Sequence, residues 1–434
     1  MTAHTGPAGR AGSTGSTGLS GLRGDAAPEP ASSTPKWAGL AWALLILNTL
    51  GSTGAKTVLP LPRSVSQLVT MGSLMTAFVI ALALNKHLRI RPSAYLTLLT
   101  VLLGASILSS ADLQEGFGAL FRCFRLTVFV STLWLLTRWW DGGFSFVRYH
   151  IRTYAVVLAS VAVGLVISPG NAMPEEYGGR LSGAVWPLTP PQIGQYAAVI
   201  SGLTLLLWFG RRTTWRSALG IVVPVLGLLL LTHTRTATLG LVAGLAVAFL
   251  SMVLTSARAR KVFAWTVGIG GVAGVVLAGA LQTWFLRGQS ADNFSSLTGR
   301  AKVWDALLEA PRTTAEYIFG VGLTDKSYDG LPIDNSWLAI YHEQGFLGIA
   351  LVAAFLLTLS VVAVLRPPSL ARACAIFLIT YCVSASYTEA GLGDASPYLL
   401  HLAVAASLLV RGVPQYDEQA FIPAKGADVR GAGA

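Results

Sequence analysis

Apolar positions in this chain come in long runs separated by short polar breaks. A helix rises about 1.5 Å per residue, so about 20 apolar residues cross the roughly 30 Å hydrocarbon core of a bilayer. Twelve runs approach that length: 37–55, 66–85, 93–110, 120–138, 151–168, 191–209, 217–233, 236–254, 262–282, 337–365, 370–387 and 394–411. Segment 120–138 is the least apolar at its start, because Arg122 and Arg125 fall in its first turns. The pattern predicts an all-α integral membrane protein with about 12 transmembrane helices.

Residues 1–36 lie before the first run and are rich in Gly, Ser, Thr and Pro, with no apolar core before Trp37. They do not read as a signal peptide. Such a segment buries too little apolar surface to offset its ordering entropy, so a disordered tail is expected, and 412–434 reads the same way. Between them, 37–411 forms one polytopic membrane domain. Most breaks are short, but about 284–336, between the ninth and tenth runs, is far longer, and loops of that length are often functional. Within it, RAKVWDALLEA from Arg300 places Val303, Trp304, Leu307 and Leu308 at amphipathic spacing. Pro311 ends that helix, and the glycine-rich FGVGL (319–323) predicts a turn.

Composition supports the membrane reading. Only 12% of the 434 residues are charged, about half the usual share, too few to coat two or three soluble domains. The net charge of +11 would suit nucleic acid. Placing the N-terminus inside instead assigns 20 of the 31 basic residues to cytoplasmic segments, giving +14 inside and −3 outside. That is the bias of a membrane topology, and it excludes a nucleic-acid partner. Both termini are then cytoplasmic and the long loop external. The three cysteines fall in apolar runs; Cys374 and Cys382 lie about 12 Å apart along one helix, too far to bridge. No CxxC, HxxxH or DxD occurs, and no metal or cofactor is expected.

Three features carry chemistry. Arg235, in THTRTATLGL (232–241), lies at the external junction of the seventh and eighth runs. It reads as a snorkelling anchor, a loop cation or a functional group. Arg300 opens the amphipathic helix, where it is either solvated or a fork for phosphate oxygens. Asp334-Asn335-Ser336 precedes the tenth run, and all three residue types favour a helix cap. Gly345 and Gly348 read as close-packing positions. Glu175, Glu176, Glu389 and Asp394 read either as sugar contacts or as solvated loop charges.

In order and spacing these features resemble the O-antigen ligase/polymerase superfamily of bacterial membrane glycosyltransferases. The resemblance rests on Thr234-Arg235-Thr236 at a span junction and on Gly299-Arg300 with Trp304 in the long loop. It rests also on Asn335, Gly345 and Gly348 in register, with Asp334 standing where the family hallmark has His. It implies inverting, metal-independent glycan transfer from a polyprenyl-diphosphate-linked oligosaccharide to a glycan or lipid acceptor, on the outer face of the cytoplasmic membrane. Arg235 and Arg300 would steady the leaving diphosphate, and Asp334 would serve either as general base or as a cap. Asn335, Trp304 and His233 would contact substrate. The acceptor is left open between polymer, ligation and protein. A twelve-span transporter or flippase is the rival, although the halves of the chain do not correspond and charges deep in the runs are nearly absent. A non-catalytic scaffold is the third reading.

Overall fold

The structure is a computed structural model, described over residues 34–50, 57–58, 62–111, 116–253, 261 and 300–410. The tails before residue 34 and beyond 410, the run 262–282, Gly299 and the first part of the long loop lie outside the described residues.

The described chain is almost wholly helical. In order come α1 (Lys36–Asn48), α2 (Arg63–Leu84), α3 (Ala94–Ser110), α4 (Phe117–Leu136), α5 (Ser145–Ile167), the single turn α6 (Pro169–Ala172), α7 (Pro190–Phe209), α8 (Trp215–Leu231) and α9 (Arg235–Val253). Then follow α10 (Arg300–Glu309), α11 (Thr314–Phe319), α12 (Ser336–Leu365), α13 (Leu370–Ala385) and α14 (Pro397–Leu408). Among the described residues the strands are a two-residue antiparallel pair, Ser327–Tyr328 with Leu331–Pro332. Eleven of the twelve apolar runs thus coincide with helices, and six of those helices are long and apolar enough to cross a membrane.

Side-chain caps set several starts. Ser93, Thr214, Ser369 and Ser396 each accept from a backbone N–H in the first turn of α3, α8, α13 and α14. The expected amphipathic helix is α10, which stops at Glu309, two residues before Pro311. It buries Leu307 and Val303 and leaves Leu308 54% exposed.

Helix α7 is central, with 83% of its apolar window buried. Phe377 and Tyr381 of α13 pack where Gly202 of α7 and Gly240 and Gly244 of α9 lack a side chain. A Cβ on Gly244 would stand 2.8 Å from the Phe377 ring, so small residues four apart bring α9 and α13 into close contact. The outward faces carry Leu68, Phe117, Val166 and Leu365, each more than 70% exposed. Apolar side chains inside and out suit a protein solvated by lipid.

Helix α12 is broken. Gly345 has φ 62° and ψ −162°, a conformation that interrupts the helical ladder and that only glycine adopts easily. At the break, Val321 and Gly322 donate their N–H groups to the carbonyls of His342 and Glu343, both at 3.0 Å. The backbone of 318–320 passes so close that a Cβ on Gly345 would lie 2.5 Å from the Ile318 carbonyl. The FGVGL turn, with Gly320 and Gly322 both at positive φ, is the piece that fills the break.

Candidate functional site

The start of α9, the start of α10, the start of α12 and the loop 386–396 meet at one place. The loop is locked to α12 through Ser336: its N–H donates to the Ser386 carbonyl, its hydroxyl to the Glu389 carbonyl, and the Gly391 N–H donates back to that hydroxyl. Trp337 adds a bond from its indole N–H to the Ser386 hydroxyl at 3.0 Å.

Asn335 caps α12: its side-chain oxygen accepts from the N–H groups of Trp337 and Leu338 at 2.9 and 3.1 Å. Asp334 is thereby free of the capping role and pairs with Arg300, whose Nε donates to Oδ2 at 3.1 Å. Burial pushes the Asp334 carboxyl above its ordinary value, against the pull of Arg300.

The Thr-Arg-Thr segment is anchored on both sides of Arg235. Thr234 donates its hydroxyl to the Pro190 carbonyl at 3.1 Å, at the start of α7. The hydroxyls of Thr236 and Thr388 lie 2.5 Å apart, tying α9 to the residue before Glu389. His233 takes a left-handed φ of 48° in the turn between α8 and α9, a conformation His tolerates better than most.

Two further groups complete the cluster. Arg180, from the loop after α6, donates Nε to the Thr232 carbonyl at 2.8 Å and Nη2 to the Thr234 hydroxyl at 3.3 Å. Burial lowers its pKa; the field of Glu389 opposes that, and Arg300 and Arg235 reinforce it. Glu389 is pushed up to about 7, first by burial and then by Asp334, against Arg300 and Arg180. The half-buried Glu389 and the buried Asp394 are therefore not solvated loop charges as expected, whereas Glu175 and Glu176 are exposed. Trp304 stands edge-on to Tyr387, ring centroids 5.7 Å apart, and its indole N–H has no hydrogen-bond partner among the described residues.

The structure thus joins Arg300 to Asp334 directly, sets Trp304 beside Tyr387, and gives Asn335 a capping role. Arg180 escaped sequence reasoning, and Glu389 was singled out only as one of four external acids, not as a base. The signal for Arg180 was a cation on the side assigned few of them. Nothing in the sequence set Glu389 apart from the other external acids, because its placement depends on Ser336. Among the described residues, no three His, Cys, Asp or Glu side chains are grouped to hold a metal ion.

The fold and site together define a multi-helix apolar protein with arginines and carboxylates gathered where helix ends meet. No family model matches the chain, and no curated protein shows significant similarity to it.

Proposed function

We propose that the protein is a membrane glycosyltransferase that moves a glycan from a polyprenyl-diphosphate-linked donor to an acceptor hydroxyl, as a surface-polysaccharide polymerase or O-antigen-ligase-like transferase. The observation that carries this is the Arg300–Asp334 pair within electrostatic reach of Glu389, which in turn feels Arg180. Transfer needs two things: cations where charge develops on the leaving diphosphate, and a base for the attacking hydroxyl. Arg180, Arg235 and Arg300 supply the first. For the second, Glu389 is best matched, because a base works best when its pKa lies near the working pH, and its own is about 7. It takes the hydroxyl proton as the acceptor oxygen bonds to the anomeric carbon. The bond from that carbon to phosphate breaks, the diphosphate leaves on the guanidiniums, and the configuration inverts. Asp334 holds Arg300 in position, and its carboxylate is the alternative base.

The same reading takes the chain across the cytoplasmic membrane twelve times, with both termini inside and the site on the external face. The positive-inside charge distribution supports that orientation, and reporter fusions at each loop test it.

The decisive experiment reconstitutes the purified protein with a lipid-linked oligosaccharide and follows longer glycans and free polyprenyl diphosphate. Arg300→Ala and Arg235→Ala are each expected to lower turnover about 100- to 1,000-fold with insertion unchanged, as when a donor to a developing anion is removed. Normal product length in both variants would overturn the assignment.

One observation favours the transporter reading: a broken helix beside a buried Glu343 is an arrangement seen at transport sites. Here the break is filled by the chain itself, since Thr324 donates both N–H and hydroxyl to the Glu343 carboxylate at 3.0 Å. Substrate flux across protein-containing vesicles without glycan transfer would favour transport over catalysis.

A further inference from the structure

A second polar site is built around Asp394, near the end of loop 386–396. A cavity of about 680 Å³ opens between α2 and α4, bounded by Asn48 at the end of α1 and by Lys326 and Asp394. Two arginines one helical turn apart on α4, Arg122 and Arg125, line it.

The charges in this cavity are unevenly matched. Lys326 pairs with Asp394, Nζ to Oδ2 at 3.6 Å. Although burial would raise the Asp394 pKa, Lys326, Arg125, the Ala395 N–H and Arg122 together hold it below its ordinary value. Arg125 is fixed by neutral acceptors, donating Nη2 to the carbonyls of Asn48 and Ala395 at 3.1 and 3.2 Å, so its charge is positioned but not cancelled. The Asp325 carboxylate is occupied by the Ser327 hydroxyl. Arg122 makes no hydrogen bond or ion pair among the described residues. Among the described residues that line the cavity, three cations stand against two carboxylates.

The mouth is apolar where the interior is charged. Phe121 on α4, 52% exposed, and Met71 on α2 line it beside the two arginines. An anionic head with an apolar tail matches this division; a free anion would match the interior alone. Arg122, which feels Asp325 and Asp394 only through space among the described residues, stands beside a fixed guanidinium, and such a pair is suited to the oxygens of a phosphate.

We propose that this cavity binds the phosphate head group of a membrane lipid entering between α2 and α4, with Arg122 as its principal contact and Arg125 as a preset second one. The inference does not rest on glycan transfer, because none of the residues assigned to that chemistry lines the cavity.

The test is thermal unfolding of the purified full-length chain in a neutral detergent, with phosphatidylglycerol, phosphatidylcholine or inorganic pyrophosphate added separately. Phosphatidylglycerol is expected to raise the Tm by several degrees and phosphatidylcholine not to. The shift is lost in Arg122→Gln, partly kept in Arg122→Lys, and unchanged in Arg300→Ala and in Arg89→Gln, which removes a cation elsewhere. Native mass spectrometry of the same samples should show fewer retained phosphatidylglycerol molecules in Arg122→Gln. If pyrophosphate reproduces the Arg122-dependent shift, phosphate recognition stands and the free anion is also a ligand. A phosphatidylglycerol shift that persists in Arg122→Gln, is equalled by phosphatidylcholine, or is absent from the unaltered protein overturns the proposal.

Discussion

Arg300 and Asp334 stand 34 residues apart in sequence and meet with Nε 3.1 Å from Oδ2. The side chains are 27% and 38% exposed, so water screens much of their attraction. A pair of this kind stabilises a fold by under about 1 kcal/mol. Arg300→Gln and Asp334→Asn should accordingly leave the Tm nearly unchanged while turnover falls. A large loss of stability in either variant would mean that the pair is structural.

Glu389 predicts a pH dependence. As a base it must be ionised, so turnover should rise through about pH 7 and then level off. Glu389→Gln should lose roughly 100- to 10,000-fold in rate and the rising limb with it. An unaltered pH profile in Glu389→Gln would move the proton transfer to another group, Asp334 first.

The same group acts on stability with a definite sign. Its folded pKa of about 7 lies above the unfolded value of about 4.3, so the folded state holds the proton more tightly. Its stabilising contribution is complete below about pH 4.3 and is lost as pH rises through about 7. Chemical denaturation across that window should show a shallower decline in Glu389→Gln than in the unaltered protein.

The start of α12 separates two neighbours that look alike in sequence. Asn335→Ala removes both capping bonds and should cost about 1 kcal/mol. Asp334→Asn leaves the cap intact. Equal destabilisation by the two changes would show that Asp334 shares the capping role.

Gly345→Ala places a Cβ 2.5 Å from the Ile318 carbonyl on a backbone at positive φ. Strain of this kind costs of order 1–3 kcal/mol before the clash is counted. The variant should unfold earlier on heating and yield less folded protein; tolerance of alanine would mean that the two halves of α12 can rejoin as one straight helix.

Within the apolar bundle, a chain of bonds joins four helices. The Trp42 indole, which can only donate, reaches His150 Nδ1 at 3.2 Å, and His150 Nε2 lies 2.8 Å from His401 Nδ1. That order leaves His401 Nε2 carrying its proton, so the Gln195 amide 3.0 Å away must turn its oxygen toward it. His401→Leu orphans two buried partners and should cost about 1–3 kcal/mol, read by denaturation in detergent.

Runs of apolar residues are a local property, which is why eleven of the twelve predicted segments appear as helices and why α10 stops where Pro311 requires. The FGVGL turn was equally visible, because glycine marks left-handed backbone wherever it is needed. The use made of that turn was not visible. Its N–H groups meet carbonyls freed by a break more than 20 residues later, and only packing brings the two together. Likewise, the sequence offered Asp334 and Asn335 as equivalent caps. Three-dimensional proximity to Arg300 decided between them, since an ion pair depends on distance through space and not on distance along the chain. Arg180 and Glu389 belong to the same class. Alone in their loops each was one more charge, and their role follows from Thr232, Thr234 and Ser336, which hold those loops against helix ends. The sequence by itself determined which segments are apolar enough to form membrane-type helices, because that preference is settled within a few neighbours. The tertiary structure alone decided which charges face one another, because burial and Coulomb energy are set by whichever groups the packed helices bring close.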